Sequence, residues 1–316
     1  MRVAAVQMTA ALGDGEKNIR SARHLAGKAF VQGAELVILP EFFPSAMGFH
    51  PVMNTVAEGP GGPAQRMLHE LAAKHNGIIG GSLITKTGRH HRNTFFLVFP
   101  DRQTFRHDKD QPTMWENCYY RGGSDDGVLH TPVGDIGVAM CWELVRSRTV
   151  RRLINQVDLI VSGSCWWSLP EKRLPGFSKS VEEENRSIMA ETPARFARLT
   201  GCPVIHAAHA GTFHGQTPLL PGFPYDSFYL GETQIVDATG TVLARMKREE
   251  GEGFVMADIA VKRQPPSENL SRRFWIADLP APIRLAWWYQ NFHGKWYYRY
   301  RRLIKSQASW NMTSSR

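Results

Sequence analysis

Ile136-Gly137-Val138-Ala139-Met140-Cys141-Trp142-Glu143 carries a short apolar run straight into a cysteine, and the spacing of apolar residues changes beyond it. A continuous run of this length between polar segments is what a strand buried on both faces requires. The following stretch, from about Leu144 to Asn155, reads as a helix, and Leu159-Ile160-Val161-Ser162 reads as the next buried strand. A strand, a helix and a second strand in that order make the repeating unit of an α/β layer protein. Cys141 then stands at a strand-to-helix turn, where the positive end of a helix favours thiolate over thiol.

The alternation extends in both directions. Towards the N-terminus, Val3 to Val6 and Leu36 to Leu39 read as short buried strands. Between them Ile19, Ala22, Ala26, Ala29 and Phe30 recur at helical spacing, with Asp14 placed to cap. Pro63 suits a first helical position ahead of Met67, Leu71 and His75. Gly77 to Thr85 and Asn93 to Phe99 read as a strand pair around a Lys-Thr-Gly-Arg turn. Towards the C-terminus, a helix is expected from Thr192-Pro193 to near Gly201 and a strand from Pro203 to Ala208. Gln234 to Asp237 and Thr241 to Ala244 flank an Ala-Thr-Gly turn, and Gly253 to Ile259 closes the sheet region. No period of 20–50 residues marks a repeat protein.

With 316 residues, 42% hydrophobic and 21% charged, the chain can bury a large core, which excludes a disordered or fibrous protein. No stretch approaches ~18 uninterrupted apolar residues, and the first residues lack a signal peptide's apolar run, so a cytoplasmic protein is expected. The four cysteines, 118, 141, 165 and 202, form no C-x-x-C pair and read as free thiols, one of them a candidate nucleophile. His206 and His209, three apart on a strand, would face opposite sides, so no metal site is expected. The net charge of +9 is nearly all local: residues 272–316 hold nine basic side chains and one acid, Asp278, leaving the body at +1. The boundary falls at Gln264-Pro265-Pro266, giving a domain over 1–263 and a basic, aromatic extension over 264–316.

Two further reactive side chains stand where strands end or loops begin: Glu41 directly after Leu39-Pro40, and Lys109 within His107-Asp108-Lys109-Asp110. An ammonium beside a thiol favours its ionised form and can hold an oxyanion, while a carboxylate can take the thiol proton and later activate water. The segments Leu39-Pro40-Glu41-Phe42-Phe43, the loop at Lys109, and Gly137 to Glu143 resemble, in order and spacing, the Glu–Lys–Cys triad of the nitrilase superfamily of carbon–nitrogen hydrolases. The resemblance covers roughly residues 1–260. It implies a four-layer αββα sandwich, commonly paired into an αββα–αββα homodimer, working without metal or organic cofactor. Carried over, Cys141 is the nucleophile, Glu41 the general base and Lys109 the oxyanion partner, with the Trp142 N–H as second donor and Glu116 as a second glutamate that positions the triad.

The same resemblance implies a small-molecule amide or nitrile substrate. Cys141-Trp142-Glu143 and Lys109-x-x-Pro112-Thr113-x-x-Glu116 are similar to nitrilases, whereas Leu144 to Arg148 and Glu116-Asn-Cys-Tyr119-Tyr120 lean towards amidases and carbamoyl-amide hydrolases. An amidase is the expectation and a nitrilase the alternative, ahead of an acyltransferase or a nucleic-acid binder. Trp166, Trp167 and Tyr119, with Met47, Phe49 and Trp115, are candidates for an aromatic pocket around an apolar acyl group. In the extension, Leu285, Trp288, Phe292, Trp296, Tyr300 and Leu303 recur three or four apart as one helical face, with Gly294 costing the helix ~1 kcal/mol relative to Ala. That face is expected to pack on the body or across a homodimer. Peripheral contact with a membrane is the next reading, and nucleic acid comes last.

Overall fold

Most strands of this chain are short apolar runs with residues of alternate parity facing opposite ways, so each strand can serve two cores at once. A computed structural model describes residues 1–171, 178–218 and 223–313, with side chains to residue 301. The first half contains β1 (Arg2–Met8), α1 (Gly15–Val31), β2 (Leu36–Ile38), α2 (Pro63–His75), β3 (Ile78–Thr87), β4 (His90–Val98) and β5 (Thr104–Asp108). The second contains β6 (Val128–Thr131), β7 (Gly134–Val138), α3 (Ser147–Leu153), β8 (Leu159–Ser164), α4 (Lys179–Thr200) and β9 (Val204–His209). Then come a hairpin of β10 (Thr212–Gln216) and β11 (Pro224–Phe228), β12 (Gly231–Val236), β13 (Val242–Lys247), β14 (Gly253–Asp258) and α5 (Ala281–Thr313).

The main sheet runs β5-β4-β3-β2-β1-β9-β8-β7-β6, with β14 added to β1 and β12-β13 added to β9. Its two halves join only at Gln7↔Ala208 and Met8↔His209, after which β1 runs beside β14 instead. The halves therefore separate and stack face to face. Val3, Ala5, Leu36 and Ile38 of one half share a core with Ile136, Val138, Leu159, Val161 and Ile205 of the other. Residues of opposite parity face outwards: Ala4, Val6, Val37 and Ile79 pack under α1 and α2, and Ala139, Ile160 and Val204 under α3 and α4. The layers run helix, sheet, sheet, helix, which is the expected αββα sandwich. Among the described residues no helix is long and apolar enough to cross a membrane.

Several boundaries differ from the expectation, each for a local reason. The helix expected from Leu144 is shorter: Cys141–Glu143 form a single 3-10 turn, and α3 begins only at Ser147. The helix expected from Thr192 starts at Lys179, where the Ser178 side chain accepts from the Val181 N–H, and it tolerates Pro193 in its interior. The polar run Glu182-Glu183-Glu184 hid its first turns, because only Asn185, Met189 and Thr192 of that half are buried. Strands β5, β6, β10 and β11 were not anticipated. The extension is helical as expected, but the other way round. Leu285, Trp288, Phe292, Trp296 and Tyr300 are 51–72% exposed, while Ile283, Ala286, Gln290, Asn291 and His293 are buried. Leu303 lies outside the described side chains. Gly294 is the reason α5 can come so close: a Cβ there would lie 2.6 Å from Asn117 Cβ.

A close approach lies between β8 and the loop after β2, where a Cβ on Gly163 would sit 2.4 Å from the Glu41 backbone nitrogen. Only hydrogen fits between these two backbones. Gly163→Ala is expected to displace Glu41 and to lower stability by about 1–3 kcal/mol. Denaturant unfolding measures the loss, and an unchanged midpoint would mean that the loop yields freely.

Candidate active site

Four buried side chains from different parts of the chain meet near the ends of the sheets. Glu41 follows β2, Lys109 follows β5, Glu116 lies on a 3-10 turn over Met114–Cys118, and Cys141 follows β7. Lys109, expected in a polar loop, has no solvent exposure, nor have Glu41 and Glu116. Its Nζ donates to Glu41 Oε1 at 2.8 Å and to Glu116 Oε2 at 2.9 Å. The segments are bent sharply to reach this point. Phe42, Met114 and Cys141 all have positive φ, at 52°, 52° and 50°, a region costly for residues with a β-carbon and found often at functional sites.

Each carboxylate is held by further donors. Asn93 Nδ2 donates to Glu41 Oε1 at 2.9 Å, the Cys165 N–H donates to Glu41 Oε2 at 3.2 Å, and His209 Nε2 donates to the Glu41 carbonyl at 2.8 Å. Glu116 Oε2 also accepts from the Thr113 N–H at 2.8 Å and from the Tyr120 hydroxyl. Its other oxygen, Oε1, is buried with no hydrogen-bond partner among the described residues. Asn93 and the Cys165 N–H were not singled out from the sequence, and Thr113 entered only as part of the Lys109-x-x-Pro112-Thr113-x-x-Glu116 likeness. Asn93 stands between Arg92 and Thr94 in the polar half of β4, so no local pattern marked it.

One ammonium between two buried carboxylates leaves a negative charge uncompensated. Burial, opposed by Lys109 and reinforced by Glu116, raises Glu41 to about 7. Lys109 stays protonated: burial works against its charge, but Glu116 and Glu41 outweigh it and raise its pKa. Burial, then the charge of Glu41, pushes the Cys141 thiol well above its usual value, with Lys109 pulling the other way. This corrects the expectation of a thiolate favoured by a helix end. With only a 3-10 turn after Cys141 there is no helix dipole to offset the burial and the nearby carboxylate charge that disfavour the thiolate.

Beneath Cys141, Glu143 ties two segments together. Its carboxylate accepts from the Met140 N–H at 2.9 Å and from the Asp110 N–H at 3.0 Å, joining the residue before Cys141 to the residue after Lys109. His107 lies 3.3 Å from Glu143 and also bonds Asp125; burial opposes its charge, but those two acids raise it to about 9. His206 and His209 bond different partners, Ser164 Oγ and the Glu41 carbonyl, and burial lowers both to about 4.

Trp142, Trp166 and Trp167 line a cavity of about 100 Å³ together with Leu169, Tyr225 and, from α5, Ile283, Ala286, Tyr289 and Gln290. Tyr119, placed in the pocket by the sequence reading, is not part of this lining. Its hydroxyl bonds the backbone of His50 instead, and its ring packs 6.5 Å from Phe49. Trp115 stacks on Trp167 at 4.1 Å behind the wall. The extension also braces the site. The Ile276 N–H donates to the Val145 carbonyl, Trp275 packs edge-on to Trp142 at 5.5 Å, and Asn291 Oδ1 accepts from the Met114 N–H at 2.8 Å.

Comparison with known proteins gives the same picture at the level of the family. Residues 2–264 match the family model for the carbon-nitrogen hydrolases. Nitrilase 3 of Arabidopsis thaliana is 31% identical over 166 residues, 45% of this chain and 47% of that protein, so the match spans about half the nitrilase's length. The 2-oxoglutaramate amidase of Bacillus subtilis is 22% identical over 261 residues, 81% of this chain and 90% of the amidase. The crystal structure of a carbon-nitrogen hydrolase from Helicobacter pylori shares the fold with a TM-score of 0.71 at 19% identity, over 83% of this chain and 89% of that one. With most of its length matched by the family model, the chain belongs to the carbon-nitrogen hydrolase family.

Proposed function

We propose that the protein is an amidase that cleaves a non-peptide amide or carbamoyl amide through a thioester on Cys141. Glu41 accepts the thiol proton as sulfur attacks the carbonyl carbon, and the resulting oxyanion rests against the Lys109 ammonium and the Trp142 N–H. The intermediate collapses by breaking the C–N bond. The proton held on Glu41 passes to the leaving nitrogen, which departs as ammonia or an amine. A water molecule then gives its proton to Glu41 and attacks the thioester, releasing the carboxylic acid and restoring the thiol.

The observation that favours an amide over a nitrile is Glu116 Oε1, a buried carboxylate oxygen with no partner among the described residues. An amide nitrogen carries N–H donors to satisfy it; a nitrile nitrogen carries none. The likeness to Nitrilase 3 supports the nitrilase alternative, in which the same thiol attacks a nitrile carbon. The cavity lining suits an apolar or aromatic acyl group. Within it, Ser168 Oγ and Gln290 Oε1 are buried without partners among the described residues and are the candidates to receive a polar group of the substrate.

Cys141→Ala is expected to abolish ammonia or amine release while leaving the fold intact, and turnover that survives it would exclude Cys141 as the nucleophile. A panel of amides, carbamoyl amines and nitriles, read by ammonia release, decides between the two substrate classes. Because Glu41 must be ionised to act as a base, kcat/KM is expected to fall as pH drops through about 7. Glu116 adds to the upward shift of Glu41, so Glu116→Gln is expected to move this acid limb to lower pH, besides slowing acylation. The pH profile of that variant is the check; an unmoved limb would mean that the two carboxylates do not interact.

A further inference from the structure

The aromatic stripe that the sequence marks on α5 is turned away from the body. Leu285, Trp288, Phe292, Trp296 and Tyr300 are 65, 65, 72, 59 and 51% exposed, and the rings of Trp296 and Tyr300 stack outside the fold at 5.4 Å. Single exposed aromatics are ordinary, but a run of five along one helix is a patch that calls for a partner. The charges on the helix are of one sign. Arg284, Lys295 and Arg299 are exposed beside the stripe, and no acid occurs anywhere after Asp278.

We infer that this face of α5 lies on an anionic lipid bilayer, parallel to its surface. Tryptophan, tyrosine and phenylalanine settle at the headgroup boundary because their rings are apolar and, in two of the three, their edges can hydrogen-bond. Lysine and arginine at the same depth meet lipid phosphates. The charges select this occupant over a second copy of the chain. Two copies meeting through this face would bring Arg284, Lys295 and Arg299 against the same cations, whereas an anionic surface neutralises all three. Since no described helix can cross a bilayer, the contact is one of lying on the surface. The opposite side of α5 gives the contact a use. Ile283, Ala286, Tyr289 and Gln290 form one wall of the cavity that Trp142, the residue after Cys141, lines from the other side, so one helix separates the lipid from the pocket. Resting on the amidase reading, the substrate is then an amide whose apolar acyl group partitions into the membrane.

The test is sedimentation of the full-length protein with phosphatidylcholine vesicles, with and without phosphatidylglycerol. Binding is expected only to the vesicles containing phosphatidylglycerol and should weaken with salt. Replacing Arg284, Lys295 and Arg299 by glutamine should lower it on the order of a hundredfold, at roughly fivefold for each cation. Trp288→Ser with Phe292→Ser and Trp296→Ser should abolish it while leaving hydrolysis of a short water-soluble amide unchanged, since these side chains touch neither the cavity nor the four buried site residues. Equal binding to both vesicle types, or none, overturns the inference. So does a dimer, seen by analytical ultracentrifugation, that the serine variant dissociates, because the face would then be a contact between copies. Vesicle binding by a protein that hydrolyses no amide would sink the amidase reading and leave the membrane contact standing.

Discussion

A lysine ammonium without solvent contact, set between two equally buried carboxylates, is the constraint around which the rest of this molecule is arranged. A charge taken out of water costs several kcal/mol, and removing a partner from such a pair costs about 3–5 kcal/mol more, so each member must be delivered to within hydrogen-bond distance. That requirement accounts for the positive φ at Phe42, Met114 and Cys141, for Gly163 against the Glu41 backbone, and for Glu143 tying the lysine segment to the cysteine segment. The strain these devices store is offset by the layers behind them, whose apolar side chains have almost no exposure.

The charge imbalance of the cluster has a chemical consequence. Two carboxylates and one ammonium cannot all be compensated, and the excess falls on Glu41, which is raised to about 7 while Lys109 stays protonated. A carboxyl poised there can take a proton from a thiol and return it to a leaving nitrogen, both of which an acyl transfer through sulfur requires. The upward shift of the Cys141 thiol fits the proposed division of labour, in which the thiol need not be ionised beforehand because Glu41 lies in the same buried cluster.

The extension shows how an element outside the matched family region, 2–264, can still belong to the site. Through Gly294 it approaches the turn that carries Glu116, through Asn291 it holds the Met114 N–H, and through Ile283 and Gln290 it walls the cavity. The stripe of large apolar residues that appeared to need burial is the exposed one. The buried side of α5 instead holds Ile283, Ala286, Gln290, Asn291 and His293, because close approach to the Met114–Cys118 turn needs Gly294, where a Cβ would meet Asn117.

The sequence by itself determined the alternation of strands and helices, and hence an α/β sandwich, because apolar runs of that length at those spacings bury well in few other ways. It also marked Glu41, Lys109 and Cys141 near strand ends, and the resemblance to the nitrilase superfamily joined them and added Glu116. Tertiary structure alone decided which side chains meet. Asn93 and the Cys165 N–H reach Glu41 from 52 and 124 residues away, and nothing in their local sequence records that partner. Tyr119 and Tyr120 are neighbours with similar surroundings in sequence, yet one turns to the His50 backbone and the other to Glu116. The face of α5 was undecidable for the same reason: periodicity reports that a helix has two sides, and only the shape of the surface it meets selects which one is buried.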